Sequence, residues 1–85
     1  MIYRLYTEDI HRDTIINLVS LHYNSFTLFT GLGYWQGKPE QCLVIEIVAD
    51  SSEMSTIEDM LDSLKVLCGQ YCVLLVAIPC ESKLV

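Results

Sequence analysis

The feature that most constrains the fold is a pair of strand-like segments separated by a short turn. Residues 26–36 are rich in Thr, Phe, Leu, Tyr and Trp, and residues 41–49 are almost continuously apolar. Such residues suit a pleated, partly buried surface. Residues 37–39 between them are Gly, Lys and Pro, which favour a turn. The sequence therefore predicts one long hairpin, centred on residues 33–46.

A strand and a helix are expected before this hairpin. Residues 2–6 carry apolar side chains on both faces, which suits a central strand. Thr7 is expected to cap a helix that has acidic residues in its first turn and ends at residue 24 or 25. One helical stripe is expected to face the core. It contains Ile15, Leu18, Val19 and His22, with Ile10 and Ile16 at its margins.

A helix and a strand are expected after the hairpin. Ser55 and Glu58 have the spacing of a capping box, so the second helix is expected to begin at Ser55 and to end near Cys68. Gly69 suits the left-handed position that follows a helix. Residues 71–78 predict the fourth strand. The core-facing stripe of the second helix is expected to contain Ile57, Met60, Leu61, Leu64, Leu67 and Cys68.

The resulting order is strand, helix, strand, strand, helix, strand. This order is the signature of the ferredoxin-like fold. Right-handed crossovers then place both helices on one face of a four-stranded antiparallel sheet, in the order 4-1-3-2. Residues 1–85 are therefore expected to form a single ferredoxin-like α+β domain. Gly31 and Gly33 interrupt the second strand and predict a bulge or a close backbone approach there.

The chain is apolar for its size, with 52% hydrophobic residues. The third and fourth strands are apolar at alternating positions in either register, so a second apolar face looks away from the helices. Such a face predicts a homo-oligomer packed through sheets or sheet edges. The four cysteines lie among apolar residues and are expected to be reduced, buried thiols.

Charge and segment lengths exclude several classes of protein. The formal net charge is -6, which argues against binding to duplex nucleic acid. No apolar run approaches the roughly 18 residues of a membrane span. The N-terminus resembles a strand and not a signal peptide, which favours a cytoplasmic protein. No arrangement of nucleophile, base and acid predicts an enzyme, and no cofactor or metal site is expected.

Residues 33–47 carry a family resemblance, and they read Gly-Tyr-Trp-Gln-Gly-Lys-Pro-Glu-Gln-Cys-Leu-Val-Ile-Glu-Ile. This segment is similar to the strand-turn-strand hairpin of the CutA and PII signalling superfamily, with its aromatic pair, Trp-x-Gly-Lys turn and apolar strand. It also resembles a Gly-x-Trp-x-Gly hairpin of small bacterial and phage proteins, and for a phage-encoded chain the expected location is the cytoplasm of the bacterial host cell. The resemblance implies a trimer formed through long hairpins, with nucleotides or other small effectors bound between subunits.

The candidate binding residues surround the turn or carry charge on strands and helices. Tyr34 and Trp35 are expected to stack on a ligand, and Glu46 is expected to pair with Arg4 across strands. The cations expected to neutralise an anionic ligand are Arg4, Arg12 and Lys38. The structural alternative places Trp35 in the core or in an interface, Lys38 in a solvated turn and Glu46 on a wetter sheet face.

Three functions remain open from the sequence. The first is a non-catalytic oligomeric protein that sequesters a small nucleotide-like or anionic signal molecule at subunit interfaces. By analogy with the phage proteins, it would be a sponge for a host defence signal. The second is an inhibitor or regulator that presents its acidic second helix, with Glu58, Asp59 and Asp62, to a host protein. The third is a CutA-like metal-responsive protein, which the four cysteines and two histidines permit.

Overall fold

The computed structural model describes residues 1–70 and 73–85 and contains four strands and two α-helices. A short 3-10 turn precedes the second helix. The sheet is antiparallel with the order β2-β3-β1-β4, which confirms the predicted order and the ferredoxin-like α+β fold. The elements are β1 Ile2–Glu8, α1 Arg12–His22, β2 Thr27–Trp35, β3 Lys38–Val48, the 3-10 turn Ser51–Glu53, α2 Met54–Cys68 and β4 Leu74–Ile78.

The core lies between the two helices and one face of the sheet. Tyr3, Leu5 and Ile45 are fully buried there. Side chains of a strand point alternately to its two faces, and these three point to the face that the helices cover. His22 and Leu67 were predicted to face the core and are exposed instead, because each lies in the last turn of its helix. Ile10, predicted at the margin of the first stripe, is also exposed because it precedes α1. The helical residues that do form the core are Ile15, Leu18, Val19, Ile57, Met60, Leu61, Leu64 and Cys68.

Both helix starts differ from the prediction. β1 continues to Glu8, so Thr7 is a buried strand residue, and α1 begins at Arg12 without a side-chain cap. The hydroxyl of Thr7 donates to a tertiary partner and does not cap the helix. α2 begins at Met54, again without a side-chain cap, because Asp50 starts the preceding 3-10 turn by accepting a hydrogen bond from the amide of Ser51.

The hairpin is confirmed, but its turn is tighter than predicted. Gln36 and Gly37 have φ values of 50° and 77°, which a two-residue hairpin turn of type I′ requires. Lys38 and Pro39 therefore belong to β3 and not to the turn. The predicted bulge is also wrong, because the β2–β3 register runs without interruption through both strand glycines.

The connection from α2 to β4 agrees with the prediction only at its first residue. Gly69 has φ of 64°, the left-handed conformation expected after a helix. β4 begins at Leu74, and the predicted strand residues 71 and 72 lie outside the described residues.

Within the described ranges, neither helix has the length and apolar character needed to span a membrane.

Tyr3 and Tyr23 differ in whether their hydroxyl groups form a hydrogen bond. The hydroxyl of Tyr3 donates to the carbonyl oxygen of Asp50 at 2.8 Å. The buried hydroxyl of Tyr23 has no hydrogen-bond partner among residues 1–70 and 73–85, and burial raises its pKa, with Glu53 adding to the effect. We expect Tyr3→Phe to lower the free energy of unfolding by about 1 kcal/mol and Tyr23→Phe to leave it unchanged or slightly higher. Urea unfolding measures both; equal losses would contradict this assignment.

Candidate functional site

The sheet face opposite the helices, called the outer face here, is lined by every second residue of the four strands. Direct partners in an antiparallel register share a face, so Arg4, its partner Glu46 and the next partner Thr27 all lie on it. The outer face has a large apolar component. Its apolar residues are Ile2, Tyr6, Phe29, Trp35, Val44, Val48, Leu74, Val76 and Ile78.

Much of this apolar surface is open. Phe29, Val48 and Leu74 are 43%, 51% and 60% exposed, and they lie on three different strands. Val44 is buried on the same face because Tyr6 and Phe29 flank it from the neighbouring strands. The expectation of a second apolar face looking away from the helices is therefore confirmed.

An ion pair lies in the middle of the outer face. The Nε atom of Arg4 on β1 donates to Oε2 of Glu46 on β3 at 2.8 Å. The two residues are direct register partners, which confirms the predicted cross-strand pair. The hydrogen bond to Glu46 raises the pKa of Arg4. The pair neutralises the only charges at the centre of this face among the described residues.

The tip of the hairpin extends beyond the rest of the sheet. The last β1–β3 partners are Glu8 and Cys42, whereas β2–β3 pairing continues to Trp35 opposite Lys38. The tight turn makes this extension possible, since both strands stay paired to their ends. The projecting tip therefore forms one wall of a cleft above the end of β1.

This cleft has a volume of about 430 Å3 and lies between the hairpin tip, the end of β1 and the segment that follows α2. Its aromatic lining comprises Tyr6, Tyr34 and Trp35. Tyr34 and Trp35 are 70% and 55% exposed, so their rings are available to a ligand. Small-molecule sites typically measure about 300–1,000 Å3. The other lining residues are Thr7, Glu8, Ile10, Glu40, Cys42, Gly69, Gln70 and Leu74.

A tertiary hydrogen-bond network holds one side of the cleft. Thr7 Oγ1 donates to Oε1 of Gln70 at 2.6 Å, and Nε2 of Gln70 donates to the carbonyl oxygen of Glu8 at 3.5 Å. Gln70 follows Gly69, whose left-handed backbone turns the chain at the end of α2. This network joins the end of α2 to the end of β1 and so fixes that wall.

The charged groups of the cleft are acidic. Glu8 and Glu40 line it, and neither carboxylate forms an ion pair with any described residue. Cys42 lies between them on the sheet, and its pKa is raised mainly by burial and further by Glu40. The lining within residues 1–70 and 73–85 contains no Lys or Arg. The charged residues of the described lining are therefore all acidic, and Lys38, the register partner of Trp35, lies on the same face outside that lining.

The predicted site residues separate into two groups. Tyr34 and Trp35 line the cleft together, whereas the predicted cations do not. Arg4 pairs with Glu46, and Arg12 pairs with Asp9, whose pKa is lowered by that hydrogen bond. Lys38 is exposed at the start of β3 and lies outside the described lining.

A second cleft, of about 490 Å3, lies at the other end of the outer face. The C-terminal tail forms one wall of it through Ser82, Lys83 and Leu84, and the strand residues Glu46 and Val48 contribute to the opposite wall. This arrangement could not be predicted from the sequence, because the tail has neither periodicity nor a motif.

The cysteines agree only in part with the expectation of buried thiols. Cys68 is buried and Cys42 is half-buried, but Cys80 is exposed because it follows the last residue of β4. Cys72 lies outside the described residues. Among residues 1–70 and 73–85, no group of three or more His, Cys, Asp or Glu side chains is placed to hold a metal ion.

Sequence reasoning missed Tyr6, Glu8, Glu40 and Gln70 as cleft residues. The outward position of Tyr6 and Glu8 could have been predicted, since strict alternation places both on the face opposite to the core residues of β1. Gln70 carried no such signal, because its contact with Thr7 spans 63 positions in the sequence.

The fold and the strand order define the chain as a ferredoxin-like α+β domain with an apolar outer face and an acidic, aromatic cleft. No protein-family model, no curated protein and no solved structure matches it. Its function is therefore inferred from the arrangement of its own side chains.

Proposed function

We propose that the protein is a non-catalytic homo-oligomeric binding protein that sequesters a small ligand in the cleft beside its hairpin tip. The observation that carries this proposal is the position of the cleft. Tyr6, Trp35 and Leu74 line it and also belong to the outer face. A second copy packed on the outer face would therefore border the cleft and help to enclose its ligand.

The exposed apolar surface supports self-association. Contiguous apolar surface on a small protein is typical of an interaction site, and burial is worth about 25 cal/mol per Å2 before the cost of association. A trimer built through the long hairpins, which the resemblance to the CutA and PII superfamily implies, is one arrangement that covers both the hairpin and the outer face.

The aromatic lining supports binding by stacking. The rings of Tyr34 and Trp35 present large flat surfaces at low cost in conformational freedom. A nucleotide-like ligand, the expectation from the sequence, would place its base against these rings. Its phosphate would need cations from Lys38 or from a neighbouring copy, because the charged residues of the described lining are acidic.

A thermal-shift screen tests the proposed function. Nucleotides, cyclic nucleotides, nucleosides and small organic cations form the panel. A ligand at 100 times its Kd stabilises the native state by about 2.7 kcal/mol, so we expect at least one compound to raise the Tm by roughly 10 °C or more. Trp35→Ala should abolish the shift. If no compound changes the Tm, the proposed function is wrong.

The exposed acidic face of α2 favours the second candidate function, docking on a basic host protein. Glu58, Asp59 and Asp62 are all exposed, and only Asp62 has a described ion-pair partner, Lys65. A variant with these three acids changed to Lys is the matched control for the screen. It should keep the ligand-induced shift if the cleft is the functional site, and it should lose capture of a host protein if α2 is.

A further inference from the structure

The cleft combines aromatic rings with carboxylates that form no ion pair with a described residue. Tyr6 on β1 and Trp35 on β2 share the outer face and both line the cavity, and Tyr34, on the other face of β2, also borders it. Glu8 and Glu40 line the same cavity, are half-buried and form no ion pair with a described residue. The remaining acids on the outer face do not share this property, since Glu46 is neutralised by Arg4.

This combination favours a positively charged ligand. The face of an aromatic ring carries partial negative charge and attracts a cation placed over it, most strongly for Trp, and sites for quaternary ammonium groups are built in this way. A half-buried carboxylate adds attraction that solvent screens only in part. An anionic ligand would meet repulsion from Glu8 and Glu40 at the same position.

The polar side chains beside the rings are already hydrogen-bonded within the protein and are not available to bind the ligand. Thr7 and Gln70 are hydrogen-bonded to each other, and the amide nitrogen of the Gln70 side chain is directed to the backbone of Glu8. The Glu8 carboxylate itself has no described hydrogen bond and is free to meet a ligand. The negative potential also reaches the cleft floor, since Glu40 adds to the burial that raises the pKa of Cys42.

We propose that the cleft binds a small organic ammonium ion, held over the rings of Tyr6 and Trp35 and neutralised by Glu8 and Glu40. This assignment rests on the proposed function and specifies the charge of its ligand. The ligand is then a cation that the two carboxylates neutralise, and not a phosphate that lysine or arginine would neutralise. The assignment also gives a role to Glu8 and Glu40, which the fold itself does not require.

Fluorescence titration tests this directly, because Trp35 is the only tryptophan in the chain. Choline is the probe, and 3,3-dimethylbutan-1-ol, which has the same shape but no charge, is its neutral control. We expect choline to change the Trp35 emission saturably and to bind roughly tenfold more tightly than the alcohol. Adenosine monophosphate is titrated in parallel as the anionic alternative.

Two matched variants locate the effect. Glu8→Gln together with Glu40→Gln should weaken choline binding roughly tenfold and leave the alcohol unaffected. Glu58→Gln together with Asp59→Asn removes the same charge from α2 and should change neither. Alkylation of Cys42, which lines the cleft, should slow when choline is bound, with the exposed Cys80 as the internal reference.

The outcomes separate this inference from the proposed function. Equal binding of choline and the alcohol, or binding of adenosine monophosphate without choline, would overturn the ammonium site while leaving the cleft as a binding site. Absence of binding by every compound in the titration and in the thermal-shift panel would overturn both. Preferential binding of choline that depends on Glu8 and Glu40 supports both.

Discussion

Phe29→Asp should convert the proposed oligomer into a monomer of 9.7 kDa. Phe29 lies on the edge strand β2, is 43% exposed on the outer face and packs beside Val44. In an assembly that covers this face, the new carboxylate would be buried without a partner, which costs several kcal/mol. Each 1.4 kcal/mol is tenfold in affinity, so association should weaken by a factor of roughly 100 or more.

Light scattering coupled to size exclusion measures this change, and Leu21→Asp is its matched control. Leu21 is also a large apolar residue, is 81% exposed and lies on α1, on the opposite side of the sheet. We expect Leu21→Asp to keep the mass of the unmodified protein. An unchanged mass for Phe29→Asp would remove the outer face as the interface, and dissociation by both variants would show a non-specific effect of charge.

If a second copy covers the outer face, as proposed, Glu46→Ala should destabilise the assembly by about 3–5 kcal/mol, the cost of removing one partner of an ion pair that is then buried. In one subunit the Arg4 and Glu46 side chains are 36% and 22% exposed. A second copy on the outer face would bury them further, so Arg4 would remain as an uncompensated charge inside the interface. Urea unfolding at fixed protein concentration measures the loss, since the stability of an oligomer depends on concentration.

Asp62→Ala provides the comparison for this second variant. Asp62 also pairs with a cation, Lys65, and their side chains are 73% and 37% exposed on α2, away from the outer face. Exposed pairs contribute about 1 kcal/mol or less, so Asp62→Ala should have a small effect. Equal small effects of Glu46→Ala and Asp62→Ala would mean that no second copy covers the Arg4–Glu46 pair.

The element order and the strand pairing could be predicted from the sequence because they depend on local patterns. The hairpin depends on two β-rich segments joined by turn residues, and the Arg4–Glu46 pair follows from the register of central strands. Helix starts could not be predicted as well. Thr7 and Ser55 carry cap-forming side chains, but pairing of β1 with β3 extends the strand through Thr7, and the turn at Asp50 starts the second helical segment earlier.

The candidate site was predictable only for Tyr34 and Trp35. These two aromatic residues precede a recognisable hairpin turn, so their position at its tip needs no tertiary information. The charges of the cleft depend on which distant segments meet there. Glu8 reaches it because β1 ends opposite Cys42, and Gln70 reaches it because α2 ends beside β1. Arg12, by contrast, pairs locally with Asp9 and does not line the cleft.

Sedimentation equilibrium of the unmodified protein at low micromolar concentration tests the central claim most directly. A covered outer face is required both for the oligomer and for a cleft that a second copy helps to enclose. We predict a single species whose mass is a multiple of 9.7 kDa, with a trimer or a multiple of a trimer favoured. A clean 9.7 kDa monomer across this concentration range would contradict the oligomeric binding protein proposed here.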